Sequence, residues 1–109
     1  MTDKRLRTLV INTNVIKRII KEKSRYEEEV VKYTENYDSK VAAQAEEHDI
    51  KMAKAILDES KMMIPDCQSR LSKAIKELEC ALEECEEFKD TAEYKQARDL
   101  LQECLHTSS

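Results

Sequence analysis

The chain contains no glycine in its 109 residues. Phosphate-cradling loops of the GxGxxG and GxxxxGKS/T types need backbone positions that only glycine tolerates, so nucleotide binding through them is excluded. The same absence removes the G-x-S-x-G nucleophile elbow and the EF-hand calcium loop. Without Asn-Gly turns, a sheet built from tight hairpins is also disfavoured. One proline, 39% charged residues and 40% apolar ones suit long helices better than a compact mixed fold. At this length the expectation is one all-α domain spanning residues 1–109.

Apolar residues recur at alternating steps of three and four. In a first segment, about 14–45, the stripe is Ile16, Ile19, Lys23, Tyr26, Val30, Tyr33 and Tyr37, widened by Val15, Ile20, Val31 and Val41. Thr13 or Asn12 is expected to cap its start, because a short side-chain oxygen accepts from first-turn amides. Residues 1–12 read as an arm of weak periodicity. Asp49 is the expected cap of a second segment, about 49–86. Its stripe runs Ile50, Ala53, Leu57, Ser60, Ile64, Cys67, Leu71, Ala74, Leu78, Ala81, Cys85 and Phe88. Eleven of those twelve positions are apolar and the phase holds across Pro65, which favours a kink there over a loop. Asp90 with Glu93 reads as a capping-box variant opening a third segment, about 91–105. Tyr94, Ala97, Leu101 and Cys104 keep the same spacing in it, and residues 106–109 are expected to fray.

Short connections make successive helices antiparallel neighbours. The expected fold is an elongated, antiparallel three-helix coiled-coil bundle, with the second helix kinked near Pro65. The short third helix reaches only the later part of the second and the early part of the first. The rest is expected to be a two-helix hairpin.

Net charge is −4, which argues against nucleic acid as a partner of the whole molecule. The charge is unevenly placed: residues 1–25 carry a local +6 and the remainder a local −10. Such asymmetry marks docking surfaces or ends of the chain that attract each other. No apolar run has signal-peptide or membrane-span length, so a cytosolic location and no membrane partner are expected. Cys67, Cys80, Cys85 and Cys104 include no C-x-x-C pair, and His48 and His106 do not complete a zinc site. The thiols read as packing or surface residues, with Cys80 off the apolar stripe. Glu83, Glu84, Glu86 and Glu87 read as a solvated helix face, not as paired acid–base carboxylates. His48 has no nucleophile placed beside it by any motif. Tyr26, Tyr33 and Tyr37 have core spacing. No enzyme and no cofactor emerge.

The segment Met62-Met63-Ile64-Pro65-Asp66-Cys67 admits two readings. Met is adaptable at recognition surfaces and equally a filler of the irregular packing a kink creates. This run, followed by Gln68, Arg70 and Leu71, resembles the signature of the tubulin-specific chaperone A (tubulin-folding cofactor A) family. Val15–Lys23 with Tyr26-Glu27 is similar to the family's first helix. Asp49-Ile50-Lys51, Glu93-Tyr94-Lys95 and Ala97-Arg98 also resemble family positions. The likeness covers most of residues 4–100, with Tyr37 outside it and 31–47 its variable part. It implies a cytoplasmic, cytoskeleton-associated helical chaperone that captures β-tubulin, not α-tubulin, after its release from the chaperonin. It further implies handover to later cofactors for heterodimer assembly, without nucleotide or metal.

Tubulin is an acidic client, so Lys17, Arg18, Lys21 and Arg25 form the expected contact strip. Met62, Met63, Pro65 and Asp66 complete the candidate surface. Alternatively the bases only solvate the first helix or pair with the acidic third segment. A generic coiled-coil scaffold or adaptor subunit is the alternative function, since the same apolar seams would serve it.

Overall fold

The structure, a computed structural model, describes residues 3–107. Met1, Thr2, Ser108 and Ser109 lie outside the described residues, and with them the outer ends of the expected arm and of the expected fraying tail. Three helices form nearly all of the rest: α1, Lys4–Ala42; α2, Glu47–Glu84; and α3, Ala92–Thr107. A single 3₁₀ turn, Glu86–Phe88, lies between α2 and α3. No strand occurs among the described residues.

α1 starts at Lys4 and not near residue 14, so most of the expected arm is helix. The cap is Asp3, whose carboxylate accepts from the Arg5 amide at 2.8 Å. Thr13 is not a cap. It is buried mid-helix, and its hydroxyl donates to the Leu9 carbonyl one turn back at 2.9 Å. Continuing the three-four stepping backwards from Ile16 reaches Thr13, Leu9 and Leu6, so one apolar phase runs from the first turn. Asp49 likewise sits inside the first turn of α2, which begins at Glu47. At α3 the cap is Thr91, one residue beyond the expected Asp90. Thr91 Oγ1 accepts from the Tyr94 amide at 3.2 Å and donates to the Phe88 carbonyl at 2.7 Å.

α2 runs through Pro65 without a break. Proline brings no N–H, so the Lys61 carbonyl receives no bond from position 65, and the helix relies on packing of its stripe to either side. Of the twelve stripe positions, nine are buried and Ile50, Ile64 and Phe88 are half-buried. Small residues (Ala53, Ser60, Cys67, Ala74, Ala81) recur every seventh position and alternate with larger ones. That alternation lets facing side chains interdigitate.

The chain divides into two compact units, one of residues up to 19 with those from 70 onward, the other Ile20–Ser69. The first holds three helical segments and the main core. Leu9, Ile16 and Ile19 of α1 and Ala97, Leu100 and Cys104 of α3 enclose Leu71, Ala74, Ile75, Leu78, Ala81 and Leu82 of α2, with Cys85 beyond its end. Ile75 and Leu82 lie off the expected stripe. A second covering helix buries a second face of α2, which is why they are inside.

The second unit is a two-helix hairpin. Its turn is made by Gln44 at φ 54°, with Gln44 N–H on the Val41 carbonyl (3.1 Å) and Ala45 N–H on the Lys40 carbonyl (3.0 Å). This is a Schellman C-cap with glutamine where glycine is the usual choice. Buried residues come only from α2: Ala53, Leu57, Ser60 and Cys67. Tyr26, Val30, Tyr33 and Tyr37 of α1 are half-buried, so the expected core tyrosines flank the seam. Ile20, Val31 and Val41 do not widen the buried stripe; Val31 is 61% exposed. Two helices cannot enclose what three can.

Candidate partner-binding surface

Lys17, Arg18, Lys21 and Arg25 are all exposed on α1. Lys21 and Arg25 are a four-residue step apart, which keeps them on one helix face. Lys17 and Arg18 belong to the first unit, Lys21 and Arg25 to the second. Among the described residues, Lys17, Arg18 and Lys21 have no carboxylate partner. Arg25 places its guanidinium 5.0 Å from the centroid of the Tyr26 ring.

Arg5 behaves differently. It pairs with Asp3 at 3.2 Å and with Glu87, donates to the Glu84 carbonyl at 3.4 Å, and lies 5.1 Å over the Phe88 ring. Its hydrogen bond holds the Asp3 carboxyl below the usual carboxylate range, and Asp3 raises the Arg5 guanidinium in turn. This basic residue closes the first unit by meeting the acidic end of α2 and the 3₁₀ turn. The expected attraction between basic N-terminus and acidic C-terminal part is therefore realised at Arg5, not along the strip.

On α2, Met62, Pro65 and Asp66 are exposed and share an outward face, Met62 with 73% of its surface in solvent. Met63 turns the other way, half-buried, into a groove of about 330 Å³ within the hairpin. Tyr26, Glu29 and Tyr33 of α1 and Ile56, Glu59, Ser60 and Met63 of α2 line it. Tyr26 thus joins two candidate residues: Arg25 stacks on its ring, and Met63 shares its groove. Met62, Pro65 and Asp66 do not reach that groove. Of the other groove residues, Tyr26, Tyr33 and Ser60 lie on the expected stripes, whereas Glu29, Ile56 and Glu59 do not. The available signal was Met52, Ile56 and Met63 at four- and seven-residue steps, a second apolar line beside the seam.

The thiols sort as their positions on the stripe suggest: Cys67, Cys85 and Cys104 are buried and Cys80 is exposed. Burial pushes the Cys85 and Cys104 thiols above the ordinary value, so neither is an activated nucleophile. His48, Glu83, Glu84, Glu86 and Glu87 are exposed. Among the described residues no group of three or more His, Cys, Asp or Glu is placed to hold a metal ion. No described helix is long and apolar enough to cross a membrane. The arrangement offers exposed positive charge, an exposed thioether and a shallow groove of mixed polar and apolar lining, which is the equipment of a binding protein.

Comparison with known proteins agrees with this. Residues 4–101 match the family model described as tubulin binding cofactor A. The chain is 44% identical over 101 residues to tubulin-specific chaperone A of Homo sapiens, covering 93% of this chain and 94% of that one. The solved structure of human tubulin chaperone cofactor A superposes with a TM-score of 0.77 at 40% identity, covering 91% of this chain and 96% of the other. That of tubulin folding cofactor A from Arabidopsis thaliana superposes at 0.83 with 35% identity, covering 94% and 97%.

Proposed function

Because the chain belongs to the tubulin binding cofactor A family, its role is in tubulin folding, and we propose that it captures β-tubulin and holds it for later cofactors. The carrying observation is the family match over residues 4–101, nearly the whole described fold. It is the reason for preferring this reading to a generic coiled-coil scaffold. In this reading the protein is a non-catalytic cytoplasmic chaperone associated with the cytoskeleton. It acts without nucleotide or metal, and without nucleic-acid or membrane partners, in one domain of residues 1–109.

The contact surface is Lys17, Arg18, Lys21 and Arg25 of α1 together with Met62, Met63, Pro65 and Asp66 of α2. Exposure of the four bases supports it, as does the lack of carboxylate partners at Lys17, Arg18 and Lys21 among the described residues. Fixed positive charge accelerates encounter with an acidic client, and a thioether adapts to an irregular apolar surface. Mixing the protein separately with β-tubulin and with α-tubulin, followed by size exclusion, tests the assignment. A complex with β-tubulin alone is the expected result; equal co-elution with both, or with neither, contradicts it. Met62→Ala is expected to speed release of β-tubulin at unchanged helicity, whereas an unchanged release rate removes Met62 from the contact.

A further inference from the structure

We propose that the hairpin groove is a docking site for a short amphipathic helix of a partner protein, one carrying apolar side chains at i, i+4 and i+7 with Lys or Arg beside them. The inference goes beyond the tubulin reading: the groove borders the basic strip at Arg25 and Tyr26 and shares Met63 with the proposed contact surface, but its carboxylates select the opposite charge.

Three observations define the occupant. The lining is mixed: Tyr26, Tyr33, Ile56 and Met63 supply apolar surface among polar groups, and Ile56 keeps 43% of its surface exposed although it lies beside buried Leu57. Two carboxylates, Glu29 from α1 and Glu59 from α2, line the groove from both sides. Neither is ion-paired among the described residues. Uncompensated carboxylates beside aromatic and aliphatic side chains repel an acidic segment and select a basic one. The third observation is Ser60, only 7% exposed, whose hydroxyl makes no hydrogen bond among the described residues. Among the described residues no buried side-chain oxygen is left without a partner, so Ser60 Oγ is not sealed off. It opens on the groove it lines and is available to a donor entering there.

Size and shape suit a helix. From Tyr26 to Tyr33 the groove follows α1 for two turns, about 10 Å at ~1.5 Å per residue. A groove of about 330 Å³ lies at the lower end of ligand clefts and takes a few side chains, not a globular surface. Anchors at i, i+4 and i+7 span the same two turns. Lys or Arg lays its methylene stem on the Tyr and Ile side chains and brings its charge to Glu29 and Glu59.

The test uses the full chain and two synthetic 14-residue helical peptides with Leu at i, i+4 and i+7, one with Lys flanks and one with Glu flanks. The protein has no Trp, and Tyr26, Tyr33 and Tyr37 are three of its four tyrosines, so tyrosine emission and amide NMR shifts both report on the hairpin. The Lys-flanked peptide is expected to bind about tenfold or more tighter than the Glu-flanked one, with shifts centred on residues 26–33 and 56–63 and affinity falling as salt is added. The double variant Glu29→Lys, Glu59→Lys, with helicity checked by circular dichroism, is expected to reverse that preference. Equal binding of both peptides, shifts centred elsewhere, or an unreversed preference in the folded variant overturns the proposal. So does sedimentation showing that a second copy of the chain already fills the groove. Should the double variant not fold, Ile56→Asp with the same two peptides decides: retained binding overturns the proposal and lost binding supports it.

Discussion

The guanidinium of Arg25 stands 5.0 Å from the centre of the Tyr26 ring, on the neighbouring position of the same helix. The contact ties the last residue of the exposed basic strip to the first residue of the hairpin groove. A cation over an aromatic face at an exposed site is worth about 0.5–1 kcal/mol. Arg25→Ala is therefore expected to destabilise by about that much, and Arg25→Lys by less, in chemical denaturation. A loss above about 2 kcal/mol would mean that Arg25 is a structural residue.

Gln44 adopts φ 54° at the C-cap of α1, where a side chain with a Cβ is strained and glycine is not. Gln44→Gly is expected to raise stability by about 0.5–1 kcal/mol, and Gln44→Val to lower it, because a β-branched residue fits that region worst. The denaturation midpoints of the two variants should move in opposite directions.

Leu78 is fully buried in the three-helix core, whereas Val31 on the hairpin is largely exposed. Leu78→Ala is expected to cost about 2–5 kcal/mol, and Val31→Ala no more than about 0.5 kcal/mol. The wild-type chain should unfold in one transition when followed by helicity and by tyrosine emission together. Non-coincident curves would show the two units unfolding separately.

Cys85 and Cys104 carry thiols raised by burial, so the folded state keeps them protonated where the unfolded state begins to ionise. Their contribution to stability is complete below the ordinary thiol value of 9.0 and is lost as pH climbs beyond it towards the raised folded values. Stability measured from pH 8 to 11 should fall, and Cys104→Ala should flatten the fall. Native-state labelling should reach Cys80 first, since it alone among the four thiols is exposed.

Helix α2 was readable because its stripe is long, in phase and made of residues with one physical preference. Leu57, Leu71 and Leu78 are apolar wherever they are put, and their steps carried the assignment across Pro65. The start of α1 departs from the expectation at Thr13, whose hydroxyl suits a cap and a buried helical position equally. The Leu9 carbonyl decides between them, and only the folded chain shows that bond. Thr91 displaced Asp90 as the cap of α3 for a similar reason, since adjacent capping residues differ only in which one the preceding 3₁₀ turn leaves outside the helix. Periodicity placed Tyr26 and Tyr33 towards the seam but not how far inside, because burial depends on how many helices cover it. The candidate bases were legible as charge. The groove was not, since Glu29, Glu59 and Ser60 acquire meaning only when two helices bring them to one concavity.

The most direct test of the account is the association rate of β-tubulin with the protein, measured by stopped flow over a range of salt. The wild type is compared with the triple variant Lys17→Glu, Arg18→Glu, Lys21→Glu. These side chains are exposed, so helicity should be unchanged. The account predicts slower association in the variant and a loss of the wild-type salt dependence, because long-range attraction no longer speeds the encounter. An unchanged rate together with an unchanged salt slope would contradict it and leave the basic strip as a solvated helix face.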